Sequence, residues 1–197
     1  MEELIAKYFE LLSIWNRKIR LVSKAASVDE FEREHVQDAR RLAPLLADAR
    51  SLIDIGTGAG LPGMLIKIML PDLEVVLIDS IRKKVSFCDE AIRSLGLNGI
   101  RAVCGRAEDE GVREALGAFD AVVSRATWKL KKYIEISAGY MKCSPSSRIY
   151  ALKGAKWSEE LSEVQNTLET HGLMLDQSIG YALPDSTPRR LLSFRPK

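Results

Sequence analysis

In the first twenty positions apolar residues recur every three or four places, with Leu4, Ile5, Tyr8, Leu11, Leu12 and Trp15 set among Glu, Lys and Arg. That spacing puts them on one stripe of a 3.6-residue helix, so the segment is predicted to be an amphipathic helix packed on a core. Two further helical stretches are expected at 28–36 and 38–47, with Pro44 breaking or kinking the second. From residue 51 the texture changes to short apolar runs separated by longer amphipathic segments. This is the pattern of a mostly parallel sheet covered by helices. Strands are expected at 51–55, 74–79, 100–104, 120–124 and 148–152. The last two, at 173–183 and 190–194, are joined by the turn-rich stretch 184–188, too short for a crossover helix, so they must run antiparallel. The reading is an α/β fold, with residues 1–48 as a helical cap on an α/β core of residues 49–197.

Composition narrows this only a little. The 197 residues, 46% hydrophobic, suffice for one sizeable core and hence one domain. Lys plus Arg number 29 against 27 Asp plus Glu, so a nucleic-acid partner must be met by a local patch rather than by net charge. Cys88, Cys104 and Cys143 form no CxxC pair, which points away from a disulfide framework or a metal site and towards a reducing cytoplasm. Charge interrupts every apolar run in residues 1–20, so neither a signal peptide nor a membrane span is expected.

Candidate chemistry begins at Asp54-Ile55-Gly56-Thr57-Gly58-Ala59-Gly60-Leu61-Pro62-Gly63, which follows a buried strand and opens a helix. Glycines there let backbone approach a ligand closely, at the carboxyl end of the first strand. The next strand ends in Asp79, about 20 residues beyond the loop, where a carboxylate can accept both hydroxyls of a ribose. Loop and acid together fit an adenosine-containing cofactor. A dinucleotide site wants its third glycine where Leu61 stands, which argues against a dehydrogenase. Asp54 either braces the turn or meets the amino group of the ligand.

The GxGxG form is similar to that of class I S-adenosylmethionine methyltransferases, a resemblance that implies a Rossmann-like sheet of about seven strands closed by an antiparallel pair. Further motifs sharpen it. His35-Val36-Gln37-Asp38 precedes the first strand, Ile78-Asp79-Ser80 closes the second and is followed by Arg82-Lys83-Lys84, and Arg106-Ala107-Glu108 follows the third. Ser124-Arg125-Ala126 and Leu152-Lys153-Gly154 then close the fourth and fifth. In this order the set resembles the RsmG family, also called glucose-inhibited division protein B. Its members methylate N7 of a guanosine in the 530 loop of bacterial 16S rRNA. The resemblance implies S-adenosylmethionine as cofactor, with contacts at Asp54, Gly56, Gly58, Gly60, Leu61, Ser80 and Arg125, Asp79 on the ribose, and Ala107 and Glu108 flanking adenine. It also implies 16S rRNA or the small ribosomal subunit as partner, and a monomer that meets no membrane. The chain departs from the pattern at Cys143-Ser144-Pro145-Ser146-Ser147, where a Pro-Gly-Gly-like turn is usual, and at Ala39, where a small polar residue is common.

The chemistry agrees with that acceptor. Guanine N7 carries an unprotonated lone pair at neutral pH, so transfer needs orientation in line rather than a general base, and no residue is assigned as catalytic. Cytosine C5 methylation would need a placed Cys nucleophile beside Pro, and an exocyclic-amine methylase an Asn/Asp-Pro-Pro-aromatic run; neither is present. Arg125 is read as a contact to cofactor or RNA, or as an ion-pair partner of Glu108 or Asp120. His35, Asp38, Arg82, Lys83, Lys84 and Lys153 are candidates for the RNA side, His35 also reading as a residue satisfied between cap and core. Basic groups at Arg17, Lys18, Arg20, Lys24, Lys129, Lys131, Lys132, Arg189, Arg190 and Arg195 add to the positive clusters. Trp128 either stacks a base or is partly buried. The competing readings are a methyltransferase of the same fold with another RNA or small-molecule acceptor, and a non-catalytic cofactor- or RNA-binding factor.

Overall fold

A computed structural model describes residues 1–22, 27–125, 128–183 and 186–197; Lys24, Ala126 and Pro184 lie outside the described residues. Helix α1 spans Glu2–Asn16. It is followed by one helical run that changes pitch along its length: α2 at Val28–Phe31, a π-helical turn at Glu32–Val36, α3 at Gln37–Leu42 and a 3₁₀ turn at Ala43–Leu46. Pro44 sits in the 3₁₀ turn, where its missing N–H is tolerated, so the expected break is a change of helix type. Ser27 caps the run, its hydroxyl accepting from the Glu30 N–H at 3.1 Å.

The sheet has seven strands, β1 Ser51–Ile55, β2 Glu74–Asp79, β3 Ile100–Cys104, β4 Ala121–Arg125, β5 Arg148–Lys153, β6 Leu173–Ala182 and β7 Pro188–Pro196. Their order is β3-β2-β1-β4-β5-β7-β6. The first five are parallel, and β7 runs antiparallel to both its neighbours. The intervening helices are α4 Gly63–Met69, α5 Arg82–Leu95, α6 Glu110–Leu116, α7 Leu130–Ala138, α8 Trp157–Ser162 and α9 Gln165–Thr170. This is the α/β architecture of class I methyltransferases, antiparallel closing pair included. The chain turns back over β1 to start β4, and such a switch opens a crevice at the carboxyl ends of β1 and β4.

Both faces of the central strands β1, β2, β4 and β5 are covered, so these read as largely apolar runs whose alternate residues serve different cores. Leu52, Val75, Leu77, Val123 and Leu152 face one core with Tyr8, Leu12, Phe31 and Phe87 from the cap, α1 and α5. Ile53, Val76, Ile78, Val122 and Ala151 face the other, with Leu130, Tyr133, Ile134 and Leu168 from α7 and α9.

Several bounds differ from the sequence reading: β4 is displaced by one residue, β5 runs on to Lys153, β6 stops at Ala182 and β7 widens to Pro188–Pro196. Asp120 ends outside β4 because its carboxylate accepts from the Arg50 and Ser51 N–H groups at 3.1 and 3.0 Å, from the Ser51 hydroxyl at 2.8 Å, and pairs with Lys142 at 2.8 Å. That knot fixes the end of the sheet remote from the crevice and moves Arg125 into the strand. The atypical segment 143–147 forms a turn, with the Ser147 N–H bonded to the Ser144 carbonyl at 3.0 Å, and leads into β5 at Arg148 opposite Ala121.

Candidate active site

Gly56 and Thr57 leave β1 by donating their N–H groups to the Ile78 carbonyl, at 2.8 and 3.0 Å. The loop then turns through Gly56, Gly58 and Gly60, all with φ between 60° and 85°, a region costly to residues with a Cβ. Beneath it lies Asp54, fully buried. Its Oδ2 accepts from the Thr57 hydroxyl at 2.7 Å and the Gly63 N–H at 2.9 Å, tying strand, loop and helix α4 together. A Cβ at Gly63 would stand 2.4 Å from Leu77 Cδ2, so glycine is what allows α4 to approach the sheet this closely. Burial pushes the Asp54 carboxyl up to about 6, against the opposing pull of the Thr57 and Gly63 hydrogen bonds and the Arg125 charge.

The loop forms one wall of a cavity of about 490 Å³ at the carboxyl ends of the strands. Asp79 stands beside the loop. Its Oδ2 accepts from the Gly58 N–H and its Oδ1 from the Ile81 N–H, both at 2.9 Å, while Lys84 Nζ lies 3.8 Å away. Gly56, Gly58, Leu61, Ser80, Ala107, Glu108 and Arg125 also line the cavity. The Ala107 carbonyl is held by the Tyr140 hydroxyl at 3.1 Å, and Glu108 pairs with Lys132 at 3.1 Å. Arg125 is pulled towards the neutral form by burial, and the carboxylates opposing that pull are Asp38 and Asp54. Glu108 and Asp120, the partners read from sequence, are held by Lys132 and Lys142 instead.

Other candidates lie elsewhere. Asp54, beneath the loop, and Gly60, at its end towards α4, are not in the cavity wall. His35 and Asp38 are buried in the cap and do not line the cleft; His35 packs edge-on against Phe31, ring centroids 5.5 Å apart. Asp38 Oδ1 accepts from the Tyr181 hydroxyl at 2.5 Å. Lys153 is not a surface cation either: it is 7% exposed, donating to Glu160 at 2.8 Å and to the Trp128 carbonyl at 2.7 Å. Arg82 and Lys83 are exposed at the start of α5. Among the described residues no helix is long and apolar enough to cross a membrane.

Some contributors carry no sequence signal of their own. Tyr8, buried in α1, donates its hydroxyl to the Ala59 carbonyl and so clasps the glycine loop from the cap. Leu21 and Val22 line the cavity, shaped by the Asn16 side chain, which accepts both their N–H groups at 2.8 and 3.1 Å. Cys88 lies under the loop, its thiol pushed up strongly by burial and its sulfur 3.6 Å from the Gly58 carbonyl; it is packing, not a nucleophile.

Fold and crevice together define a class I methyltransferase. Solved structures agree on the fold: a precorrin-6y methyltransferase from Geobacter metallireducens superposes with a TM-score of 0.61 at 14% identity, covering 91% of each chain. TrmN from Thermus thermophilus gives 0.63 at 19% identity over 82% of this chain and 48% of that one. The sequence is more specific. The family model for rRNA small subunit methyltransferase G matches residues 1–182, and the chain belongs to that family. Relatives named ribosomal RNA small subunit methyltransferase G include one from Desulfotalea psychrophila, 35% identical over 97% of this chain and 87% of its own length. Another, from Syntrophus aciditrophicus, is 38% identical over 95% and 78%.

Proposed function

We propose that this chain transfers the methyl group of S-adenosylmethionine to N7 of a guanosine in the 530 loop of 16S rRNA, acting as a cytoplasmic monomer of one domain on the RNA or the small ribosomal subunit. The observation that carries this reading is the glycine loop and Asp79, joined at the Gly58 N–H and lining one cleft, in a chain of the rRNA small subunit methyltransferase G family.

The cleft suits an adenosine. Asp79 has spent one acceptor position of each oxygen on a backbone N–H, and a carboxylate offers about four, so two ribose hydroxyls can still donate to it. Ala107 and Glu108, one strand further along, flank the base, while the open backbone of Gly56, Gly58 and Leu61 and the turn at Ser80 follow the rest of the ligand. The bound cofactor supplies an electrophilic methyl on a sulfonium. The chain's own task is to hold the acceptor nitrogen in line with it and keep water out, with Arg125 in the wall towards β4 as a contact to cofactor or RNA. Because N7 faces the deep, narrow groove of an A-form helix, the acceptor must be unpaired or displaced.

The test is methyl transfer from labelled S-adenosylmethionine to undermethylated small-subunit particles, with the product identified by nucleoside analysis. Label is expected in N7-methylguanosine. It should be lost in Gly58→Asp, which sets a second carboxylate in the loop beside Asp79 and removes the glycine from φ 60°. Label in another nucleoside, or none with wild type, sinks the proposed acceptor.

A further inference from the structure

The rim of the sheet that bears the cleft continues past it. Arg125 lies opposite Leu152, and Lys153 opposite Arg190, so the ends of β4 and β5 and the start of β7 stand side by side. At about 4.8 Å per strand, Arg190 is roughly 10 Å from the strand that carries Arg125. Its neighbour Lys153 is committed to Glu160 and the Trp128 carbonyl.

Arg190 is not committed in this way. Its guanidinium lies over the Trp157 ring, 4.0 Å from the centroid. Across the ladder Gly180 leaves room for it; a Cβ there would stand 3.1 Å from Cζ. Among the described residues no carboxylate pairs with it, its Nε is buried without a partner, and Nη1 meets the Ser178 carbonyl at 3.5 Å. A guanidinium held between ring and glycine has given up rotamer freedom in advance, and its Nη donors suit a phosphate. The exposed loop 154–156 leading into Trp157 adds Lys156 as a second cation, and Lys153 neutralises Glu160 on the adjoining helix.

We propose that Arg190, held on Trp157, binds a phosphate of the acceptor RNA strand beside the methylated nucleotide, so that the strand crosses the rim from β4 towards β7. This rests on the RNA-methyltransferase reading above and adds a subsite to it. If Arg190 only clamps α8 to the sheet, its charge has no bearing on RNA.

The experiment is steady-state methyl transfer to undermethylated small-subunit particles over a salt series, with wild type, Arg190→Gln and Arg190→Lys. Arg190→Gln is expected to raise the KM for particles about tenfold, with kcat within about twofold and cofactor Kd unchanged. The dependence of log KM on log salt should flatten by about 0.7, the increment for one phosphate on a single strand. Arg190→Lys, which keeps the charge without the planar fork, should recover the slope and only part of the KM. Wild-type KM and slope in a folded Arg190→Gln overturn the proposal and leave Arg190 a clamp. If that variant does not fold, Arg190→Lys decides, a wild-type KM overturning it. Absence of transfer by wild type fails the functional reading instead; retention of particles on filters in the same salt series then tests Arg190 by itself.

Discussion

Asp54 is a carboxylate with every contact to solvent removed, kept because its Oδ2 joins Thr57 to Gly63. Its raised pKa has a definite sign for stability. The folded protein holds this proton up to about pH 6, whereas the unfolded chain releases it near 3.8. The stabilisation is therefore fully present below about 3.8 and is lost as pH rises through about 6, a change of up to about 3 kcal/mol. Asp54→Asn lacks this term. Its stability relative to wild type, from urea melts, should rise by about that amount between pH 4 and 7. A difference that stays constant with pH would show Asp54 to be ionised throughout.

Among elements, the C-terminal strand pair does more than close the sheet, since it latches the helical cap. Tyr181 on β6 donates to Asp38 on α3, and Arg189 on β7 pairs with Glu34 in the π-helical turn at 3.0 Å. Asp38 is 1% exposed and its pKa is raised by burial, opposed by the Tyr181 hydrogen bond. Tyr181→Phe would leave a buried carboxylate without that donor, at a cost of about 1–3 kcal/mol, readable as a lower urea midpoint with unchanged m. An unchanged midpoint would mean that Arg125 and Arg189 satisfy Asp38 unaided. The opposite end of the cap acts on the site directly, because α1 reaches the loop through Tyr8 and packs on α5 through Trp15 and Phe87, ring centroids 5.7 Å apart.

For the whole molecule, a net charge of +2 conceals an uneven surface. Arg82 and Lys83 stand exposed at the start of α5, next to Lys84 and Ile81 in the cavity wall, and Arg106 is exposed on the next rim loop. Reversing Arg82 and Lys83 to Glu should weaken particle binding and reduce its salt dependence, while cofactor affinity, which the proposed function assigns to Asp79 and the loop, stays put. Filter binding across a salt series together with calorimetry of cofactor binding checks both halves; unchanged particle binding would place the RNA path elsewhere.

What the sequence determined by itself is whatever is written in neighbouring residues. The strands and α1 follow from side-chain periodicity, the loop from glycines that alone tolerate its backbone angles, and the placing of Asp79 from a short βαβ step. The bounds of β1, β2 and β3 agree residue for residue, since the turns beside them are equally local. Only tertiary structure decided which polar side chains reach the cleft. Lys153 ends β5 as Arg125 ends β4, yet α8 brings Glu160 over it and commits its ammonium to a part-buried pair. Asp38 finds Tyr181 from 143 residues away, and Tyr8 finds the loop from 51. Such pairings depend on how helices and strands dock, and a burial cost is incurred or offset only once they have docked.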